Sequence, residues 1–101
     1  MEKRKPHHDL AAFKTRCSTS DALPVTSTAL RDARALGYTL AKMVEAIQTM
    51  RAGHFYKSMT SFDDHTCWQD VYHVPYDGLV LYVKFTDDRL TEFRLLSFKE
   101  K

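Results

Sequence analysis

The chain has 101 residues, 44% hydrophobic and 12% aromatic, which suits one small domain with a single core and excludes both a disordered chain and a two-core protein. Fifteen Lys/Arg against thirteen Asp/Glu leave a net charge of +2, too little to announce a nucleic-acid binder by charge alone. Cys17 and Cys67 are too few for a disulfide framework, and no stretch approaches the ~18 apolar residues of a membrane span, so a reduced cytoplasmic protein with no membrane partner is expected.

Along the chain, Glu2 to Lys5 reads as a short charged start, frayed unless something binds it. Pro6 suits the first turn of a helix, and Leu10, Phe13 and Cys17 give it one narrow apolar stripe, closed by Ser18 to Asp21. Ala22 to Thr26, with Pro24 and Val25, predicts a short edge strand. Ser27 or Thr28 then caps a second helix carrying Ala29, Leu30, Ala33 and Leu36, and Gly37 closes it. Thr39 opens a third with Leu40, Met43, Val44, Ile47 and Met50 on one face, ended by Gly53. The basic excess lies in this half: residues 1–54 carry nine Lys/Arg and five Asp/Glu, residues 55–101 six and eight.

The stretch Phe55 to His73 mixes β-formers with hydrogen-bonding heads and holds no glycine or proline. Such a stretch suits a pleated surface that grips something polar. Asp63 and Asp64 read as a hairpin turn between strands at roughly 55–62 and 67–74. Pro75-Tyr76-Asp77-Gly78 is the next turn signal. Leu79 to Thr86 alternates, so that Leu79, Leu81, Val83 and Phe85 meet the helices while Val80, Tyr82, Lys84 and Thr86 face away. Asp87–Asp88 predicts a turn, and Leu90 to Phe98 a last strand whose apolar residues lie at both parities, which allows a bulge. Helices before a four-stranded antiparallel meander predict an α+β fold, the helices on one sheet face and the other open for function.

Phe55-Tyr56-Lys57-Ser58-Met59-Thr60, Asp64-His65-Thr66 and Trp68-Gln69-Asp70-Val71-Tyr72 resemble the MqsR (motility quorum-sensing regulator) family of bacterial toxins. So do the start, Met1-Glu2-Lys3-Arg4 with Pro6-His7, and the end, Ser97-Phe98-Lys99-Glu100-Lys101. The resemblance runs in register along essentially the whole chain, in pattern more than identity over residues 17–54. It implies the compact RelE-like toxin fold over residues 1–101 and a metal-independent, ribosome-independent endoribonuclease cutting single-stranded mRNA at a GCU-type site. It also implies the partner, an MqsA-like protein antitoxin with a zinc-binding domain and a helix-turn-helix domain. DNA would then be met only through that antitoxin, and zinc would belong to it.

Cleaving RNA without a metal requires control of the 2′-hydroxyl, a proton for the departing 5′-oxygen and cations around the phosphate. The resemblance maps the family's proposed catalytic residues onto Lys57, Gln69, Tyr82 and Lys99, which lie on four successive predicted strands. Lysine holds phosphate at any working pH, tyrosine donates a proton, and glutamine orients without titrating. Taken singly, Lys57 reads as a solvated strand residue, Tyr82 as a half-buried sheet tyrosine and Lys99 as a terminal charge; only the combination points to a site. Lys84, His65 and His73 join them as candidate RNA contacts. Trp68, Tyr72 and Phe62 are candidate stacking platforms for unpaired bases, although a lone tryptophan in a small domain is commonly core. His65, Cys67 and His73 share one parity, but three ligands at that spacing match no common structural zinc site, so no metal or other cofactor is expected. One departure stands out: after Tyr72 the family pattern favours arginine then proline, and here the sequence runs His73-Val74-Pro75. A non-catalytic module binding a protein or operator complex through the same surface is the alternative reading.

Overall fold

The structure, a computed structural model, describes residues 1–88 and 92–101, the side chains of Ala22 and Asp88 aside. Three helices, α1 (Leu10–Arg16), α2 (Ser27–Ala35) and α3 (Leu40–Gln48), pack on one face of an antiparallel sheet ordered β1 (Glu2–Lys3), β2 (Phe55–Thr60), β3 (Trp68–Tyr76), β4 (Leu79–Asp88) and β5 (Glu92–Glu100). This is the expected α+β arrangement, and it agrees with a RelE-like toxin fold.

Each helix starts at a side-chain cap: Asp9 accepts from the Ala12 amide, Thr26 from Ala29 and Thr39 from Lys42. These bonds satisfy amides that have no partner within the helix. Pro6 therefore precedes α1 by several residues, and Thr26, not Ser27 or Thr28, caps α2. That use of Thr26 shortens the predicted edge strand at residues 22–26. Its remnant is a parallel bridge of Val25 to Leu95, after a 3₁₀ turn at Ser20–Ala22. Gly37 ends α2 at φ +84° as expected. The third helix stops at Gln48, well before Gly53, because the Thr49 hydroxyl and amide fold back onto the Ala46 carbonyl.

Phe13, Ala29, Ala33, Met43, Ile47 and Met50 from the helical half are wholly buried against Tyr72, Val74, Leu81, Phe85, Leu95 and Phe98 of the sheet. Phe13 stacks on Phe85 with centroids 3.7 Å apart, docking α1 over the middle of the sheet.

The sheet has one strand more than predicted. Residues 1–8 are pinned as a strap: Glu2 pairs with Met59 and Lys3 with Ser58. The buried Asp70 carboxylate then accepts from the His7 and His8 amides and from the Ser58 hydroxyl, at 2.8 Å from His8 and 2.7 Å from Ser58. A buried carboxylate without such donors would be costly, so the predicted fraying is replaced by attachment.

The turns also shift. Asp64 Oδ1 accepts from the Thr66 amide and hydroxyl inside a 61–67 loop. The β3–β4 turn is Asp77–Gly78, both at positive φ (57° and 74°), as a two-residue hairpin of type I′ requires. Pro75 is thus a strand residue paired with Val80, tolerated because β2 pairs β3 no further than Tyr72. Asp87 and Asp88 extend β4 opposite Phe93 and Glu92; the predicted start of the last strand at Leu90 lies outside the described residues. Among the described residues no helix is long and apolar enough to cross a membrane.

Candidate active site

The sheet face turned away from the helices is built by two bulges. Phe55 pairs with Tyr72 and Lys57 with Val71, so Tyr56 is an extra residue in β2. Alternation alone puts Lys57 on the same face as Phe55; the extra residue turns both Tyr56 and Lys57 onto the open face. In β5, Lys84 pairs with Ser97 while Phe85 pairs with Leu95, which makes Leu96 the extra residue. Phe93 and Leu95 are buried against the helices, and without the bulge Lys99 would share their face. With it, Phe98 returns to the core and Lys99 stands opposite Tyr82.

Cross-strand pairs share a face. Lys57, Val71, Lys84 and Ser97 form one row, and His73, Tyr82 and Lys99 the next. Tyr56 stacks on His73 at 4.2 Å between centroids, and His73 lies 6.0 Å from the Tyr82 ring. The Lys99 ammonium sits 5.5 Å over Tyr82, and that of Lys57 5.4 Å from Tyr56. Gln69, opposite Met59, adjoins these rows.

The environment sorts these groups by protonation. Lys57 is held charged because Glu2 of β1 accepts its proton-bearing hydrogen bond at 2.5 Å, which raises its pKa against partial burial. Burial pushes the Tyr82 hydroxyl up, partly countered by Lys57, so it keeps its proton at neutral pH. Burial, and then Lys99, lowers Lys84. His73 is lowered chiefly by burial and then by Lys101, leaving it neutral near pH 7. The face therefore combines a fixed cation, a protonated phenol and a neutral imidazole within a few ångströms.

Six of the ten catalytic and RNA-contact candidates singled out from the sequence share this face: Lys57, Gln69, Tyr82, Lys99, Lys84 and His73. His65 stands exposed in the 61–67 loop at its rim. Trp68 is elsewhere, one side-chain alternation away from Gln69 on the helix-side face. Lys3 lies 4.1 Å over its ring and His7 is stacked on it at 5.4 Å. Tyr72 is wholly buried in the core. His65, Cys67 and His73 do not converge: His73 lies against Tyr56, while the Cys67 sulfur is 3.5 Å from the Thr86 hydroxyl. No cluster of three or more His, Cys, Asp or Glu suited to a metal ion occurs among the described residues.

Two residues of the site escaped the sequence reading. Regular alternation gave no sign that Tyr56 would share a face with Lys57. Glu2 belonged to a segment with no strand signal of its own.

The model of the family described as "Motility quorum-sensing regulator, toxin of MqsA" matches residues 5–100. The chain is also 38% identical over 101 residues to the "mRNA interferase toxin MqsR" of Escherichia coli (strain K12), an alignment covering the whole of both chains. With both matches spanning nearly every element that builds the open face, the chain belongs to the MqsR family of toxins.

Proposed function

We propose that this chain is a toxin that cleaves mRNA at a short, GCU-type sequence, without a metal and without the ribosome. In this reading the RNA backbone crosses the open face. Lys57 and Lys99 hold the scissile phosphate, and Gln69 orients the adjacent 2′-hydroxyl. The 2′-oxygen attacks phosphorus and its proton passes to water, while the P–O5′ bond breaks and Tyr82 gives its proton to the departing 5′-oxygen. The products are a 2′,3′-cyclic phosphate, or the 3′-phosphate after hydrolysis, and a 5′-hydroxyl. Most of the rate enhancement comes from cations already in position where negative charge grows. A zinc-binding, helix-turn-helix antitoxin of MqsA type holds the toxin in check in the cytoplasm.

The observation that carries this reading is the convergence of three lysines, a proton-retaining tyrosine, a glutamine and a neutral histidine on one open face. The similarity to a protein named an mRNA interferase supports it. The test is cleavage of a defined single-stranded RNA containing every triplet, with and without EDTA, with cut sites mapped by primer extension. Cutting should survive EDTA and concentrate at one short motif. Lys57→Ala and Tyr82→Phe should each lower the rate by about 10²-fold or more. A folded protein that leaves this RNA intact, or loses activity to EDTA, overturns the reading.

A further inference from the structure

A groove of about 740 Å³ opens on the same face, beside the catalytic cluster. Met59, Thr60, Phe62, His65, Gln69 and Lys84 are among the residues that line it. Its size falls in the range of sites that bury a small organic ligand. Lys84 belongs both to this groove and to the row that carries Lys57, and Gln69 adjoins that row, so a ligand seated here is continuous with the reaction site. Gln69 lies two residues along β3 from Val71, the partner of Lys57, a step of about 6.6 Å. That is the scale separating a nucleotide's phosphate from its own or its neighbour's base.

The lining is suited to a flat, polar-edged ring. Phe62 lines the groove and is 97% exposed, so its ring face is free to stack on a ligand. The Met59 thioether offers a second soft, polarizable surface. Gln69 carries both a donor and an acceptor on one amide. Lys84 carries donors only, and burial beside Lys99 makes it a poorly solvated cation that gains from an acceptor.

We propose that this groove seats one unpaired base of the RNA next to the cleaved bond, Phe62 stacking on its face while Gln69 and Lys84 read its edge. A donor-only group in that place favours a keto base, guanine or uracil, which presents carbonyl acceptors. The exocyclic amines of adenine and cytosine would face a cation with no acceptor for them. The proposal rests on the nuclease reading for its ligand, and its test is arranged to separate the two.

The experiment is fluorescence-anisotropy binding of short single-stranded RNAs, 2′-O-methylated throughout so that they cannot be cut, that differ at one nucleotide at a time. Wild-type protein should prefer G or U over A and C at one position. Phe62→Ala should weaken binding by about tenfold, in line with the loss of one base–aromatic stack, and Phe62→Tyr should restore it. Lys84→Met should flatten the keto preference. Because Phe62 is exposed, its removal leaves the core intact. Binding unchanged within twofold in Phe62→Ala, or no base preference at any position, overturns the groove assignment even if the wild type cuts RNA. Base-selective binding lost in Phe62→Ala upholds the groove even if the wild type cuts nothing.

Discussion

His73 stands where the resemblance to the MqsR family leads one to expect an arginine, and its position shows what that exchange would do. It sits between Tyr56 and Tyr82 on the open face, where an arginine would add a permanent cation. Burial lowers its pKa from the ordinary value near 6.5, so at pH 7 the imidazole is neutral and contributes hydrogen bonding without charge. His73→Arg should therefore tighten binding of uncleavable single-stranded RNA. It should also steepen the dependence of log K on log salt by about 0.7, the amount expected for one additional phosphate contact. Acidification should mimic this in the native protein. As pH falls through the depressed pKa, His73 gains its proton and RNA affinity rises, a rise absent in His73→Ala. A salt titration indifferent to His73→Arg would show that RNA does not pass over this residue. Lys57 is the opposite case, a cation fixed by Glu2 from outside its own hairpin, which in the proposed reading an RNA phosphate would have to displace or share.

At the scale of elements, the bulges at Tyr56 and Leu96 decide which side chains meet. A one-residue change of register moves a strand's whole set of side chains to the other face, so each bulge delivers a lysine to the site while its neighbours Phe55 and Phe98 remain in the core. The strap formed by residues 1–8 is the other decisive element, and Asp70 is its anchor. Asp70→Ala leaves the His7 and His8 amides without their acceptor and the Ser58 hydroxyl with only the Gln69 carbonyl at 3.3 Å, at a cost of about 1–3 kcal/mol. Urea unfolding should show that loss. Limited trypsin digestion should cut at Lys3 or Arg4 faster than in the wild type, since the strap then loses its buried anchor and keeps only the β1–β2 pairs, the Glu2–Lys57 bond and the contacts of Lys3, His7 and His8 with Trp68. Unchanged protease resistance would mean that these remaining contacts secure the strap without Asp70. The helices were largely legible from the sequence because caps and apolar spacing are local: Thr39 with Leu40, Met43 and Ile47 needs no distant partner to read as an amphipathic start. β1 was not legible, because Glu2–Lys3 becomes a strand only through Met59, Ser58 and Asp70.

For the whole molecule, two wholly buried acids favour the folded state only while they keep their protons. Burial raises the Tyr72 hydroxyl to about 12, with Asp70 adding to the shift, and likewise raises the Cys17 thiol to about 12. A group whose folded-state pKa is raised contributes stability that is fully present below its unfolded value and is lost as pH rises toward the folded one. Unfolding free energy should thus hold level with respect to these groups below about pH 8.5, then fall by roughly 3–6 kcal/mol in total by pH 12. Urea midpoints at pH 8, 10 and 11 check this. Tyr72→Phe should retain more of its pH 8 stability at pH 11 than the wild type does. A midpoint flat across this range would mean that one or both groups reach solvent in the native state.

The sequence by itself determined the α+β class, the Thr39 cap and the apolar stripes of the helices, the alternation of β4 and, through its resemblance to the MqsR family, the identities of the candidate catalytic residues. These follow from local rules and motif strings, which act within a few residues. Only the tertiary structure decided that Lys57 and Lys99 share a face with Tyr82, that Trp68 does not, and that Glu2 reaches Lys57. Each of these depends on strand register and bulges, which are fixed by burying Phe55, Tyr72, Leu95 and Phe98 against the helices. Packing across the whole core, not the residues next in sequence, selects them.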